Sequence, residues 1–223
     1  MDDLLYDTAA SAAVLIACHA GACLLTPKLT ARWFAVHALS NLVVAVCTAP
    51  NARALCFEPS TLLLSSESLA AAGRHELLGN FPLALAICTH LYHAACYPLS
   101  RADRLHHAVF LPTIVVPGYV YDWGALGRTQ LFFICGLPGA IIYALLALER
   151  CACVRLGEPA VAGALNALVR APGTLAANAL LVVAYGQGTV VPPAWAAALQ
   201  LLLAPTNAVY YAHASVVRAR RLS

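Results

Sequence analysis

Charge is what this sequence has least of. Asp, Glu, Lys and Arg make up 10% of 223 residues, while apolar residues make up 61% and the mean hydropathy is +0.76. Soluble domains run near 45–50% apolar and about 25% charged. So few charges cannot cover so large an apolar surface in water, which excludes an ordinary soluble domain and makes lipid the expected solvent. Lysine is nearly absent, since Lys28 alone represents it. A retinal-type Schiff base on a late helix is thereby excluded. The net charge of +3 is small and carries no patch suited to nucleic acid. Nine cysteines are present, an odd count scattered through apolar stretches, which fits neither a disulfide framework nor a zinc ribbon. The start, Met1-Asp2-Asp3, lacks the basic region of a secretory signal, so the first apolar run is expected to be a retained span.

What is present is a series of apolar runs of the length a bilayer requires, about 20 residues each. They fall near 7–25, 33–49, 77–97, 105–121, 129–148, 160–185 and 193–217. Residues 60–72 are apolar but short and Ser-rich, and are expected to form an interfacial or re-entrant piece. No repeat, low-complexity tract or linker divides the chain, so residues 1–223 are expected to form a single domain. The fold class is all-α, a polytopic membrane bundle of about seven transmembrane helices. Basic residues support the count. Seven spans put Lys28, Arg32, Arg101, Arg104, Arg150, Arg155 and the C-terminal Arg218, Arg220 and Arg221 on one side. Only Arg53, Arg74 and Arg128 then lie on the other. Basic loops are cytoplasmic, which predicts an outside N-terminus and a cytoplasmic C-terminus. Pro82, Pro112, Pro117, Pro138, Pro172 and Pro205 fall within these runs and predict bent helices around a pocket.

Polar groups within a span are costly and face the bundle interior or a cavity. The set is small: His19, His37, Asn41, His90, His93, His106, His107, Tyr143, Asn166, Arg170, Asn178, Asn207 and His213. His90 and His93 are three apart on the third span and share a helix face. The fourth span opens with Asp103-Arg104-Leu105-His106-His107, and a short turn makes these spans antiparallel neighbours. The four imidazoles should therefore gather near one membrane face. Adjacent helical residues diverge by about 100°, so His106 and His107 should face different partners. Arg170 is expected to face a wet cavity. No complete metal-ligand set is apparent, although haem or metal coordination by the histidines in a subunit of a membrane complex stays open as the alternative.

The segment Asp103-Arg104-Leu105-His106-His107-Ala108-Val109, an apolar helix before it and Gln130-Leu131-Phe132-Phe133 after it resemble the TLC-domain family, which includes ceramide synthases, TRAM-type translocon proteins and the TLCD group. The resemblance covers nearly the whole chain. It implies an endomembrane protein, of the endoplasmic reticulum or another internal membrane, that handles long-chain lipids. Carried over to this chain, His106 and His107 would be the catalytic candidates of a sphingolipid-type acyltransferase. His90, His93, Tyr143, Asn166 and Arg170 would contact substrate. Membrane lipids are the implied partners, with acyl-CoA as co-substrate if the chain is an enzyme and no resident cofactor. A homo-oligomer or a place in a membrane complex is compatible. Ceramide synthases carry paired aspartates on the helix after the His-His helix. This chain has no carboxylate there before Glu149, which tilts the expectation toward lipid binding without turnover.

Overall fold

The computed structural model describes residues 2–26, 28–64, 79–152, 157–190 and 192–222. Among them there is no strand, and seven long helices form one bundle. These are α1 (Asp2–Leu25), α2 (Leu29–Phe57), α3 (Phe81–Cys96), α4 (101–120), α5 (Gly124–Ala152), α6 (158–186) and α7 (Ala194–Leu222). Helix is the expected form of such sequence in lipid, because every backbone polar group is then satisfied within its own segment. Four helices, α1, α2, α5 and α6, are long and apolar enough to cross a membrane. Helix α3 is apolar but has 16 residues, α4 begins with Arg101, Asp103 and Arg104, and α7 is diluted by Gln200, Thr206, Asn207 and His213.

Several boundaries differ from the sequence reading. Helix α2 runs on to Phe57 rather than stopping near 49, with Pro50 inside it. Proline removes one donor, but the turns on either side keep theirs. The third helix starts at Phe81, with Pro82 in its first turn, where a missing N–H is harmless. Pro82 therefore starts a helix and does not interrupt one. The expected piece at 60–72 is described only as a 3-10 turn over Pro59–Leu63. From 65 onward it lies outside the described residues.

Three of the other prolines act through π turns rather than through simple breaks. Helix α4 consists of Arg101–Phe110, a π turn at Leu111–Val115, and Val116–Val120. Helices α5 and α6 carry the same feature at Phe132–Gly136 and Asn166–Arg170. In each case the residue before a proline donates five residues back: Val116 to Leu111, Leu137 to Phe132 and Ala171 to Asn166. Pro117, Pro138 and Pro172 each follow one of these bonds. A proline ring would strike the carbonyl four residues earlier, and widening the preceding turn relieves that clash. Pro205 lies within the continuous helix α7.

Small residues let α5 approach its neighbours. A Cβ on Gly136 would lie 3.3 Å from the Ala45 backbone of α2, and one on Gly139 would lie 3.1 Å from Cγ of Asn41. Gly173 of α6 packs against the Phe133 ring, with no room for a Cβ. At the end where α1 meets α2, Lys28 Nζ donates to the Arg150 carbonyl at 3.3 Å. On α6, Glu158 pairs with Arg218 of α7 at 2.8 Å. The Glu158 N–H donates to Glu149 Oε1 at 3.2 Å, so Lys28, Arg150 and Arg218 share one end of the bundle.

Candidate functional site: an imidazole-lined cavity

Six of the seven helices enclose a cavity of about 400 Å³, and α1 takes no part in it. Toward the basic end, taken as its mouth, the lining includes partly exposed Asp103 and the Glu158–Arg218 pair, whose arginine is 54% exposed. At the opposite end, its floor, the lining includes buried Trp123, Gln130 and Gln200. Gln200 Nε2 donates to Gln130 Oε1, Gln130 Nε2 donates to Asn178 Oδ1 at 3.1 Å, and Asn178 Nδ2 donates to the Leu201 carbonyl at 3.3 Å. These amides join α5, α6 and α7 below the cavity. Between mouth and floor the wall is largely apolar, including Leu83, Phe110, Ile114, Val115, Leu131 and Ile134.

The start of α4 sets the histidine pair. Ser100 Oγ accepts from the Asp103 N–H at 3.1 Å, and Asp103 Oδ2 accepts from the Ser100 N–H at 3.0 Å. This reciprocal capping box fixes the first turn. Asp103 therefore belongs to the helix rather than to a loop before it, and His106 and His107 follow one turn later in a defined phase. Their divergence is as the helical geometry demands. The His107 ring lies 5.0 Å from both His90 and His93 of α3, whereas His106 stacks on Phe110 at 4.8 Å and meets Tyr211 of α7 at 6.2 Å. His90 lies 5.7 Å from His106, between the two directions.

His90 Nδ1 is 2.7 Å from the Ala86 carbonyl. A carbonyl only accepts, so Nδ1 carries the proton and the neutral ring keeps its lone pair on Nε2. His93 is held differently. It stacks face to face on Trp33 at 3.6 Å, and Trp33 in turn meets His37 at 4.6 Å. His37 stacks on Tyr143 at 4.0 Å. This column of rings from α2, α3 and α5 braces one wall, and Nδ1 of both His37 and His93 lacks a hydrogen-bond partner. Among the described residues no three His, Cys, Asp or Glu side chains are arranged to hold a metal ion.

Arg170 ends the π turn of α6, is 9% exposed and lines the cavity. Its Cζ lies 5.4 Å from the Tyr211 ring centroid. A cation–π contact of about 0.5–2 kcal/mol offsets only part of the several kcal/mol that burying a guanidinium costs. Beside it, Asn166 Nδ2 donates to Ser215 Oγ at 2.6 Å, tying α6 to α7.

All seven residues singled out from sequence, His90, His93, His106, His107, Tyr143, Asn166 and Arg170, line this one cavity. Trp33, Gln130, Gln200 and Tyr211 also line it and were not singled out. His37, Asn41 and Asn207 were noted as polar groups within spans but not assigned to the site. The spacing of Trp33 and His37, four apart on one helix face, was the available signal for the α2 wall. Nothing in sequence separation connects Gln130 to Gln200. Compared with protein-family models, curated proteins and solved structures, the chain matches none.

Proposed function

We propose that the chain is a seven-span, TLC-like integral membrane protein that admits a single long lipid chain into its intramembrane cavity and presents the polar head to the imidazoles. The observation that carries this reading is a cavity with a largely apolar wall, a lining that is buried at one end and partly exposed at the other, and four histidines toward the exposed end. A volume of about 400 Å³ is near the low end of the roughly 300–1,000 Å³ of small-molecule pockets, so one chain suits it better than two. Lys28, Arg150 and Arg218 lie at one end, and the tendency of basic residues to stay on the cytoplasmic side supports reading that end as cytoplasmic and the N-terminus as outside. An endomembrane location accords with the family resemblance.

Acyl transfer at the same site is a second reading, and the bare Nε2 of His90 beside His106 and His107 favours it. A neutral imidazole there can take the proton of an acceptor amine or hydroxyl as that group attacks a thioester carbonyl, and CoA leaves as its thiol. The test uses membranes expressing the chain, long-chain acyl-CoA and a panel of sphingoid, sterol and glycerolipid acceptors, beside His106→Ala and His107→Ala. Product lost in either variant supports transfer. No product from a folded, abundant chain removes transfer and leaves binding. The binding reading is tested by native mass spectrometry of the purified chain. A retained lipid with one acyl chain supports it, and an empty protein after gentle extraction and lipid addition refutes it.

A further inference from the structure

The lipid-chain reading leaves the buried Arg170 unexplained. A guanidinium carries five N–H donors and does not lose its charge in proteins. No described residue accepts a hydrogen bond from Arg170, no carboxylate of a described residue lies within 4.0 Å of it, and its Nε is buried without a partner. The carboxylates that line the cavity are both engaged at the mouth. Asp103 caps α4, and Glu158 pairs with Arg218. The floor amides pair with one another through Gln130, and Gln200 Oε1, buried without a partner, is an oxygen that does not accept from Arg170. A buried cation in this setting leaves its fork of donors open to whatever enters.

Geometry places that fork. Arg170 lies twelve residues beyond Glu158 on α6, about 18 Å along the helix. Side chains of a helix lean toward its N-terminus, so the guanidinium reaches back toward the mouth. It arrives over Tyr211, whose ring is 6.2 Å from that of His106. Beyond it, toward the floor, lie Phe110, Ile114 and Ile134, with no charged group among the residues lining that part of the wall. A head held by Arg170 would therefore sit beside His106 with its tail in the apolar end.

We propose that Arg170 is an anion site inside the cavity, which selects single-chain lipids whose head is a carboxylate or a phosphate. The inference rests on the lipid-chain reading and adds the chemical class of the head. Bidentate pairing of a guanidinium with either oxyanion is the interaction its planar fork is shaped for.

The test measures direct binding of tritiated hexadecanoic acid, hexadecyl phosphate and hexadecanol to the purified full chain in lipid nanodiscs, at alkaline pH where the acid is ionised. The wild type should bind the acid or the phosphate about tenfold or more tightly than the alcohol, the scale of hydrogen bonds to a charged group. Whichever anion binds better identifies the head. Arg170→Gln should bring the anion down to the level of the alcohol and leave the alcohol unchanged, and Arg170→Lys should retain part of the preference. Without lipid, Arg170→Gln should melt no lower than the wild type, because it removes an unpaired buried charge. Ile142→Trp, which fills the cavity, should abolish binding of all three probes, and Leu146→Trp serves if that variant fails to fold. Equal binding of acid, phosphate and alcohol overturns the anion site, as does an anion preference that survives Arg170→Gln or a marked fall in that variant's melting temperature. If the alcohol alone binds and Ile142→Trp blocks it, the lipid-chain reading survives without the anion site. If no probe responds to either tryptophan, both fail.

Discussion

Removing Arg218 exposes how the cavity mouth is held. Glu158 is 1% exposed at the start of α6, and its partner Arg218, on the last turns of α7, is 54% exposed. Breaking a fully buried ion pair from one side costs about 3–5 kcal/mol, whereas exposed pairs contribute about 0–1 kcal/mol. With one partner buried and the other half in solvent, Arg218→Met should cost about 2 kcal/mol, and protonation of the stranded carboxyl caps the loss. Glu158→Gln alone should cost less, because it strands an exposed arginine that water can solvate. The double variant should be more stable than Arg218→Met, since the uncompensated carboxylate is gone. A thermal shift assay in mild detergent reads the four proteins. For a chain of this length about 2 kcal/mol corresponds to about 4–8 °C in melting temperature. Additive losses across the cycle would refute the reasoning, because coupled neighbours must show an interaction energy. The pair would then be a surface contact with no hold on the α6–α7 mouth.

Two further outcomes follow from close packing and from the floor amides. Gly173→Leu should lower the melting temperature strongly, as the Phe133 ring leaves no space for even a Cβ; overpacking costs about 1–3 kcal/mol, and pairing it with Phe133→Ala should recover much of the loss. Gln130→Leu should cost about 1–3 kcal/mol by leaving the Gln200 amide and the Asn178 carbonyl oxygen without partners. A melting temperature equal to wild type would show that this clasp does not hold α5 to α6 and α7.

Composition and run length made the all-helical fold and the seven long helices of the described residues legible, because a chain 61% apolar and 10% charged has few other ways to satisfy its backbone. Local spacing also carried the phase of the histidines. The pair His90 and His93 shares a face, and the divergence of His106 from His107 follows from the turn of a helix. The seven nominated residues fell in one cavity because a polar group on a long apolar helix is expensive to leave on its apolar face, so its bearers collect on the inside. Helix ends were less legible. Pro50 did not stop α2 and Pro82 did not interrupt α3, since the effect of a proline depends on which turn it occupies.

Only the tertiary structure decided which polar groups meet. The Gln130–Gln200 bond spans 70 residues of sequence, and the Asn166–Ser215 bond spans 49. The stack from Tyr143 through His37 and Trp33 to His93 joins three helices whose order in space no local pattern encodes. Periodicity says which face of a helix turns inward. It does not say which helix stands opposite, because that is settled by the fit of small residues such as Gly139 against Asn41 and Gly173 against Phe133. The open fork of Arg170 belongs to the same class. The sequence reveals a cation in an apolar helix, but only the fold shows that no described residue accepts a hydrogen bond from it.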